Sequence, residues 1–265
     1  MRGKMVADPA TADIILIIEY DGRDYHGSQY QANAPTIQGE LEKALNRLTG
    51  KTIRIKAAGR TDAGVHACGQ VISFRTDTAL PLSVYVDGLN HYLPEAIAVK
   101  EAYRTEGPFD VRRRAVSRQY RYYIHNARTR SPLRRGFAWR IEGALDIEAM
   151  NRACRSLIGR HDFASFVAST ETARGKNTVR DIMKAEITQD GDTIVLEMIA
   201  NSFLSHQVRN TVGALVKVGQ GKMTVDEFSA MVETATPGLA GPMAPADGLY
   251  LVKVNYPSPF KGEAQ

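Results

Sequence analysis

Apolar residues in the first half of the chain fall into two kinds of segment, short continuous runs and longer stretches with helical spacing. Residues 12–20 form an almost unbroken apolar run that ends at Asp21-Gly22, which predicts a buried strand followed by a turn. The spacing over 36–49 predicts a helix, with Thr36 as its N-cap and Gly50 just past its end. The same reasoning predicts a helix near 82–93 and strands near 52–57, 69–75 and 97–104.

The same order of elements returns in the second half. We expect a strand at 118–125, a helix at 146–158 with Asp146 as N-cap, a hairpin of 178–188 with 193–200, helices at 203–218 and 225–234, and strands at 249–255 and, shorter, at 137–141. Both halves thus have the order β-α-β-β-α-β of the ferredoxin-like unit. The sequence therefore predicts an α+β fold of two ferredoxin-like units whose antiparallel sheets flank a central cleft.

The predicted elements divide the chain near residue 110. We expect a disordered N-terminus over 1–12, an N-terminal domain over 13–110, a C-terminal domain over 111–256 and a flexible tail over 257–265. Two predicted loops, 22–35 and 163–177, are long for a compact domain, and loops of that length are usually functional or mobile.

The composition is that of an ordinary globular protein, since 43% of the 265 residues are hydrophobic and 24% are charged. The longest aliphatic run, Ile14 to Ile18, is much shorter than the roughly 20 residues of a membrane-spanning helix, so we expect no membrane association. Cys68 and Cys154 stand far apart in the sequence, which argues against a disulfide framework or a thiolate zinc site. A reducing, cytoplasmic location fits these features best.

Positive charge is concentrated in the second half. Residues 1–110 carry 12 Lys and Arg against 14 Asp and Glu, whereas residues 111–265 carry 22 against 15. Ten arginines lie between Arg112 and Arg140 without one acidic residue, and five aromatic residues are interleaved with them. Arginine contacts phosphates and aromatic rings stack on unpaired bases, so this composition is typical of an RNA-binding surface, although a solvated basic face is the plainer interpretation. The candidate RNA contacts are Arg112, Arg113, Arg114, Arg118 and Arg121.

The segment most suggestive of chemistry is Ala58 to Ala67, which has the sequence A-G-R-T-D-A-G-V-H-A and joins two predicted strands. Glycines at 59 and 64 allow tight or left-handed backbone conformations, so Asp62 can stand at the tip of a loop. From residue types alone, an aspartate between glycines is most simply a turn residue.

Residues 59–66, G-R-T-D-A-G-V-H, resemble the signature of the TruA-type tRNA pseudouridine synthases. Further segments in the same order extend the resemblance over most of the chain. Residues 20–27 resemble the family's opening Y-D-G-x-x-Y-x-G, 38–45 its first helix, 117–122 its R-x-Y-R-Y strand, 201–210 its N-x-F-x-x-x-x-V-R-N helix, and 248–251 its closing strand.

The resemblance implies an isomerase that breaks the N1–C1′ bond of a uridine in tRNA, turns the base and joins its C5 to C1′. The implied targets are uridines 38, 39 and 40 at the base of the anticodon stem, where extruding a base costs least. The resemblance implies a homodimer, no metal and no cofactor. The sequence agrees, because it contains no H-x-x-x-H pair, and residues 219–222 are followed by Met223 where a phosphate loop requires Ser or Thr.

The resemblance also implies roles for Asp62, Tyr120, Arg209 and Leu249, and we assign a further role to Arg60. Asp62 is the expected nucleophile, and Tyr120 is expected to stack on the extruded base and to serve in proton transfer at C5. Arg209 is expected to form an ion pair with Asp62 that keeps the carboxylate ionised and aimed. Arg60 is expected to hold the phosphate of the flipped nucleotide, and Leu249 to line the pocket.

The residue patterns leave simpler roles open for two of these positions. Strand alternation places Tyr120 and Tyr122 on one face, as expected for core tyrosines whose hydroxyls find partners. Arg209 shares a helix face with Val212 and Val216, at the edge of the apolar stripe, where its guanidinium could instead reach solvent or a structural acid.

This chain departs from the family pattern at two places. Ser28 stands where tryptophan is common after Tyr-x-Gly, and Ser205-His206-Gln207 stand where His-His-Met is usual. Two other functions stay open. A non-catalytic RNA-binding module on a ferredoxin-like sheet gives Asp62 no task. A glycosidase that pairs Asp62 with Asp21 or Asp24 leaves the arginine-rich stretch unexplained.

Overall fold

The computed structural model describes residues 11–105, 107–168, 175 and 177–257, which contain ten strands and five α-helices. The strands are β1 (Ala12–Tyr20), β2 (Lys56–Ala57), β3 (His66–Thr76), β4 (Ile97–Thr105), β5 (Ser117–Asn126), β6 (Trp139–Ile141), β7 (Gly159–Asp162), β8 (Val179–Asp190), β9 (Thr193–Ala200) and β10 (Leu249–Asn255). The helices are α1 (Ile37–Thr49), α2 (Leu82–Tyr92), α3 (Ile147–Arg155), α4 (Gln207–Gly219) and α5 (Val225–Thr234).

All ten strands belong to one mixed sheet, whose main path is β4-β1-β3-β10-β5-β9-β8-β7, with β2 beside β3 and β6 beside β5. The expectation of two separate antiparallel sheets is therefore wrong. Strand β3 of the first half pairs in parallel with β10 of the second half, with Tyr250 opposite His66 and Leu251 opposite Ala67. The pattern of apolar residues predicts most of the strands but not which strands are neighbours, so it does not predict that the two halves share a sheet.

The junction of β3 and β10 depends on a close approach of two backbones. A Cβ atom on Gly69 of β3 would lie 2.5 Å from the carbonyl oxygen of Val252 on β10. That distance is well inside van der Waals contact, so only glycine fits at this position. Gly69 thereby lets the two halves join, and it places the loop that precedes β3 next to the second half.

The two halves have the same strand order. In the first half β4 lies beside β1, β1 beside β3 and β3 beside β2; in the second, β10 lies beside β5, β5 beside β9 and β9 beside β8. With β6 and β7 left out, each half has four strands; its last strand lies next to its first, and its third lies next to its second. Strand β7 at the far edge is not predicted by the sequence, because Gly-Arg-His-Asp lacks the apolar alternation that marks a strand.

Helix α1 confirms the helix predicted over 36–49. The Thr36 hydroxyl accepts a hydrogen bond from the Gly39 amide at 3.1 Å, and Gly50 ends the helix in the left-handed conformation. Helix α3 has the predicted N-cap, Asp146, but ends at Arg155 rather than at 158.

Helix α4 begins at Gln207, four residues later than predicted. The Gln207 side chain accepts a hydrogen bond from the Leu204 amide at 2.9 Å, and His206 takes a left-handed φ of 62°. A residue in the left-handed conformation cannot be part of a right-handed helix. Residues 203–206 therefore form an irregular segment in front of α4. This segment lies at the candidate site described below.

Buried side chains from both halves form one hydrophobic cluster, which includes Leu16 of β1 as well as Tyr122 of β5 and Leu251 of β10. The division of the chain into two domains near residue 110 stays a prediction.

Strand β1 begins at Ala12, the last residue of the N-terminal segment predicted to be disordered. Residues 1–10 and 258–265, for which we predicted a disordered N-terminus and a flexible tail, lie outside the described residues, as do 169–174 and 176 of the predicted loop 163–177. Within the described ranges, no helix is long and apolar enough to cross a membrane.

Candidate active site

Asp62 lies on the loop between β2 and β3, at the junction of the two halves. Gly64 has a φ of 79°, which favours glycine, and its amide donates to the Tyr25 carbonyl at 3.3 Å. The Val65 amide donates to the Asp62 carbonyl at 3.2 Å and closes the turn. The Asp62 side chain is 31% exposed, so a well-anchored backbone presents its carboxylate to an open cavity.

Ser28 holds the residue that precedes Asp62. The Thr61 amide donates to the Ser28 hydroxyl at 2.8 Å, and the Ser28 amide donates to the Thr61 carbonyl at 3.1 Å. The Thr61 hydroxyl is hydrogen bonded to the Tyr20 phenol at 2.8 Å, and burial raises the pKa of Tyr20 to about 12. Ser28, where this chain departs from the family pattern, therefore anchors the backbone beside Asp62.

Arg209 reaches the Asp62 carboxylate from α4. Its Nη1 lies 3.1 Å from Asp62 Oδ2, and its Nε donates to the Ala244 carbonyl at 2.9 Å. The Arg209 side chain is only 11% exposed. The ion pair expected from the sequence is thus present, and it joins the two halves. Because the Ala244 carbonyl orients the guanidinium, the charge-assisted contact to Asp62 has a defined direction.

His206 is a neighbour of Asp62 to which the sequence analysis assigns no role. Its Nε2 lies 3.5 Å from Asp62 Oδ2, the oxygen that also contacts Arg209. The one signal in the sequence is its place in the Ser205-His206-Gln207 departure, three residues before Arg209. The irregular segment before α4 therefore places a second nitrogen atom near the same carboxylate oxygen of Asp62.

Tyr120 of β5 lies at the wall of the same cavity. Its side chain is buried, and its ring packs edge-on against Phe203 at a centroid distance of 5.1 Å. Burial, with smaller contributions from Tyr20 and Asp62, raises the pKa of Tyr120 far above its ordinary value. The phenol is therefore protonated at neutral pH. Tyr120 is both a buried strand residue and a wall of the cavity, a combination that strand alternation does not predict.

One cavity of about 50 Å³ brings the predicted site residues together. Its wall includes Arg60, Asp62, Tyr120, Arg209 and Leu249, and 203–208 close another side. A groove of about 390 Å³ adjoins it and shares Arg60, Asp62, Tyr120 and residues 203–205 with it. The groove is also lined by the arginines at 112, 118 and 180. A carboxylate, a phenol and a cation thus meet beside a basic groove.

Three of the five arginines predicted to contact RNA are exposed. Arg112 lines the groove, and Arg113 and Arg114 follow it at the surface. Arg113 lies 3.8 Å from Asp110, and the Arg114 guanidinium lies 4.9 Å from the centroid of the Phe109 ring. These loose contacts leave the three guanidinium groups accessible to a phosphate.

Arg118 and Arg121 do not fit the predicted role. Arg118 is 8% exposed, and its guanidinium donates to four backbone carbonyls, those of Ala58, Arg112, Ala115 and Asn201. Arg121 extends from the opposite face of β5, where its Nε donates to Glu197 at 2.7 Å. Alternation along β5 turns one guanidinium inward and the other away from the groove, so we correct the prediction of RNA contact for both residues.

We expect Arg118→Met to lower the free energy of unfolding by about 3 kcal/mol or more, because buried carbonyl oxygens lose a charged donor. Arg113→Met, at an exposed position, should change it by less than about 0.5 kcal/mol. Urea unfolding followed by circular dichroism measures both variants. A loss below about 1 kcal/mol for Arg118→Met would show that water satisfies these carbonyls and that the structural assignment is wrong.

His66, the last residue of the G-R-T-D-A-G-V-H motif, is a buried anchor. Its Nδ1 accepts a hydrogen bond from the Gly22 amide at 3.3 Å, and its Nε2 donates to the Gly136 carbonyl at 3.0 Å. Burial lowers the pKa of His66 in spite of the nearby Asp21 carboxylate, so the imidazole is neutral at pH 7. His66 thereby links the loop of Asp62 to the segment around Gly136.

Asp21, one of the two carboxylates that a glycosidase would pair with Asp62, is already engaged. Arg23 Nε lies 3.0 Å and 2.9 Å from its two carboxylate oxygens. Asp24, the other, is exposed at the surface. Among the residues that the structure describes, no group of three or more His, Cys, Asp or Glu side chains is placed to hold a metal ion.

The family model for tRNA pseudouridine synthases matches residues 16–112 and 153–257. Three relatives named tRNA pseudouridine synthase A are similar over most of their length. The protein of Geotalea uraniireducens is 43% identical over 243 residues, which are 92% of this chain and 99% of the relative. The protein of Geobacter sulfurreducens is 44% identical over 245 residues, which are 92% of this chain and 99% of the relative. That of a Roseiflexus species is 45% identical over 256 residues, which are 95% of this chain and 93% of the relative. This chain therefore belongs to the tRNA pseudouridine synthase family, a family of isomerases that act on tRNA.

Proposed function

We propose that this chain converts uridine to pseudouridine in the anticodon stem-loop of tRNA, at positions 38, 39 and 40, where extrusion of a base costs least. The observation that carries the proposal is the ion pair of Asp62 with Arg209, in a cavity that Tyr120 and Leu249 also line. The basic groove beside this cavity supports a polyanionic substrate.

The reaction exchanges one bond for another without a change in composition. The N1–C1′ bond breaks, a C5–C1′ bond forms, and the proton lost from C5 is balanced by the proton gained at N1. Asp62 either attacks the nucleotide or stabilises the positive charge that develops on the sugar. The isomerisation involves no net oxidation, and it requires a carboxylate at the sugar, a base that removes the C5 proton and a surface for the detached uracil.

The other cavity residues divide these tasks. Arg209 holds the Asp62 carboxylate in position, and Leu249 offers an apolar contact to the base. Because Tyr120 is protonated at neutral pH, it can take up the C5 proton only while it passes its own proton on. Stacking on the base is therefore its better supported role. Arg60 lies where the cavity meets the groove and would contact the phosphate of the extruded nucleotide.

The cavity must widen when a nucleotide enters. Its volume of about 50 Å³ holds no more than a few ordered water molecules. A uracil base is larger than this. The irregular segment 203–206 forms one wall and contains the left-handed His206, so we propose that this segment moves outward.

We expect Ser28→Ala to lower kcat about tenfold with little change in KM, because the loop that carries Asp62 loses an anchor but no contact to tRNA. The Thr61 amide also loses its buried acceptor, which should destabilise the fold by about 1–2 kcal/mol. Turnover at saturating tRNA and urea unfolding measure the two effects. Ser229→Ala removes a hydroxyl bonded to the Val225 carbonyl on α5 and is the matched control. Equal kcat in both variants would contradict a positioning role for Ser28.

Replacing Arg112, Arg113 and Arg114 together by glutamine should weaken tRNA binding and flatten its salt dependence. Each lost phosphate contact removes about 0.7–0.9 from the slope of log K against log salt concentration. Filter binding over a series of salt concentrations measures the slope. The control replaces Arg152 and Arg155, two exposed arginines of α3, in the same way. If the triple variant keeps the slope of the unaltered chain, the three arginines face away from the RNA.

Three further features belong to the proposal. The shared strand order of the two halves supports their interpretation as ferredoxin-like units, divided near residue 110. The resemblance to the family supports a homodimer that acts in the cytoplasm. Sedimentation of the purified chain, alone and with tRNA, tests the oligomeric state, and a single species of about 29 kDa would contradict the dimer.

The function itself is tested by conversion of an unmodified tRNA transcript, with pseudouridine located at single-nucleotide resolution. We expect pseudouridine at one or more of positions 38, 39 and 40, where the stem end makes extrusion easiest. Pseudouridine confined to another arm of the tRNA would refute the proposed positions. Binding without conversion would instead favour a non-catalytic RNA-binding module.

A further inference from the structure

A second cavity lies outside the catalytic one and has a volume of about 650 Å³. Most of its wall comes from the segment 130–140, which connects β5 to β6. His125 at the end of β5 closes one side, and Pro245 and Asp247, just before β10, close another. The mechanism proposed above uses none of these residues.

The cavity is lined by four arginines, of which two are already paired. Arg134 lies 3.2 Å from Asp192, and Arg140 pairs with Glu142. Arg130 and Arg135 are exposed, and neither has an acidic partner among the residues that the structure describes. Two guanidinium groups at the wall of one cavity therefore remain available to an anion, and a phosphate is the anion that arginine binds best in RNA-binding proteins.

The same wall also carries a buried acceptor without a donor. Asp247 Oδ1 is inaccessible to solvent and has no hydrogen-bond partner in the described part of the chain. Buried polar atoms are normally paired, so this oxygen indicates a missing N–H or O–H group. Trp139 adds an aromatic surface to the cavity. A phosphate alone would satisfy the arginines but not the carboxylate or the aromatic ring.

We propose that this cavity is a second nucleotide-binding site. The phosphate lies on Arg130 and Arg135, the base packs on Trp139, and the Asp247 carboxylate turns so that its Oδ1 accepts from an N–H group of the base. Guanine suits the carboxylate best, because its N1–H and N2–H groups lie side by side and match two acceptor oxygens. A nucleotide combines the three features that the wall requires: negative charge, an aromatic ring and a hydrogen-bond donor.

The second cavity and the catalytic cavity are connected by short stretches of chain. The Ala244 carbonyl accepts from Arg209, and Pro245 and Asp247 follow it directly in the sequence. Gly136 at the wall of the second cavity is bonded to His66, four residues after Asp62. A nucleotide of the same tRNA that presents the target uridine could therefore occupy the site, and this choice of source rests on the proposed function. A free nucleotide has the same chemistry.

Trp139 is the only tryptophan of the chain, so its fluorescence reports on this cavity alone. The experiment titrates the full chain with GMP and with ribose 5-phosphate, with excitation at the red edge of the tryptophan band, where GMP is transparent. We expect a saturable change with GMP and none with ribose 5-phosphate. In Arg130→Gln/Arg135→Gln the apparent Kd for GMP should rise at least tenfold. Arg128→Gln, two residues before this segment and not at the cavity wall, should bind GMP like the unaltered chain.

Two results would overturn the proposal. One is Trp139 fluorescence that does not respond to GMP. The other is an equal GMP affinity in the double variant and in Arg128→Gln. A fluorescence change that follows dilution of the protein but not GMP would mean that a second copy of the chain covers the cavity, and it counts against the proposal too.

A competition arm separates the two sources of the nucleotide. If a tRNA nucleotide occupies the site, saturating GMP weakens tRNA binding and Arg130→Gln/Arg135→Gln loses this effect; if the site takes free nucleotides, tRNA affinity is unchanged by GMP. Conversion of uridine is measured in parallel. If uridine is converted but Trp139 fluorescence does not respond to GMP, only this inference is overturned. If GMP binds but uridine is not converted, only the proposed function is overturned.

Discussion

Asp62→Asn should abolish the conversion of uridine, with a loss in kcat of about 10⁴-fold or more, while tRNA affinity and the fold change little. Asparagine has nearly the shape of aspartate and can still accept a hydrogen bond from Arg209. It lacks the negative charge that, in the proposed function, attacks the nucleotide or stabilises the developing positive sugar. The side chain is 31% exposed, so the neutral amide brings no large cost in stability.

Pseudouridine has the same mass as uridine, so the assay follows release of tritium from C5 or derivatises the product. Circular dichroism and filter binding establish that the variant is folded and binds tRNA. Asp24→Asn, at an exposed carboxylate of the neighbouring loop, is the matched control and should keep full activity. Substantial turnover by Asp62→Asn would refute the assignment of the nucleophile. Loss of turnover in Asp24→Asn would support a second catalytic carboxylate.

Arg209→Gln should lower kcat by about 10²–10³-fold and leave KM nearly unchanged. Arg209 contacts Asp62 and the Ala244 carbonyl at the same time, so its loss frees a carboxylate to rotate and removes the positive charge that faces it. Arg209→Lys keeps the charge, but one ammonium group cannot make both contacts with the same geometry. We expect lysine to restore only part of the lost rate.

Steady-state kinetics on a tRNA transcript separates kcat from KM for the two variants. Arg152→Gln breaks an exposed ion pair with Glu148 on α3 and controls for the loss of one arginine. It should keep the kcat of the unaltered chain, because surface ion pairs contribute little. A rise in KM with unchanged kcat in Arg209→Gln would mean that Arg209 binds RNA and does not position Asp62.

Local elements follow closely from the pattern of residues. The apolar run at 12–20 is β1 to the residue, and the Thr36 and Gly50 signals bound α1, because caps and runs act within a few residues. Helix α4 is one exception, since its predicted start at 203 lies on an irregular segment; β2, which is shorter than the predicted 52–57, and the unpredicted β7 are two others. Apolar spacing predicts the buried face of a helix, but here the Gln207 side chain and the left-handed His206 determine where α4 begins.

Side-chain environments were harder to predict. Arg118 and Arg121 are neighbours in a run of arginines, and composition treats them alike. The structure buries the Arg118 guanidinium among backbone carbonyls and places Arg121 beside Glu197 on the other face. The surroundings of each guanidinium are set by oxygen atoms of residues up to 83 positions away in the chain. A local sequence pattern does not show which oxygens these are.

The amino-acid sequence was sufficient for the order of the strands and helices other than β7, for the caps of α1 and for the resemblance that singled out Asp62 and Arg209. These properties depend on neighbouring residues, or on a motif that is contiguous in the chain. The single mixed sheet, the contact of Ser28 with Thr61 and the cavity around Trp139 were decided only in three dimensions. Each depends on segments that are distant in sequence, and the β3–β10 pairing beside Gly69 brings the two halves together. Asp62 and Arg209, separated by 147 positions, form their ion pair across this junction because packing of the whole chain determines which backbones approach each other.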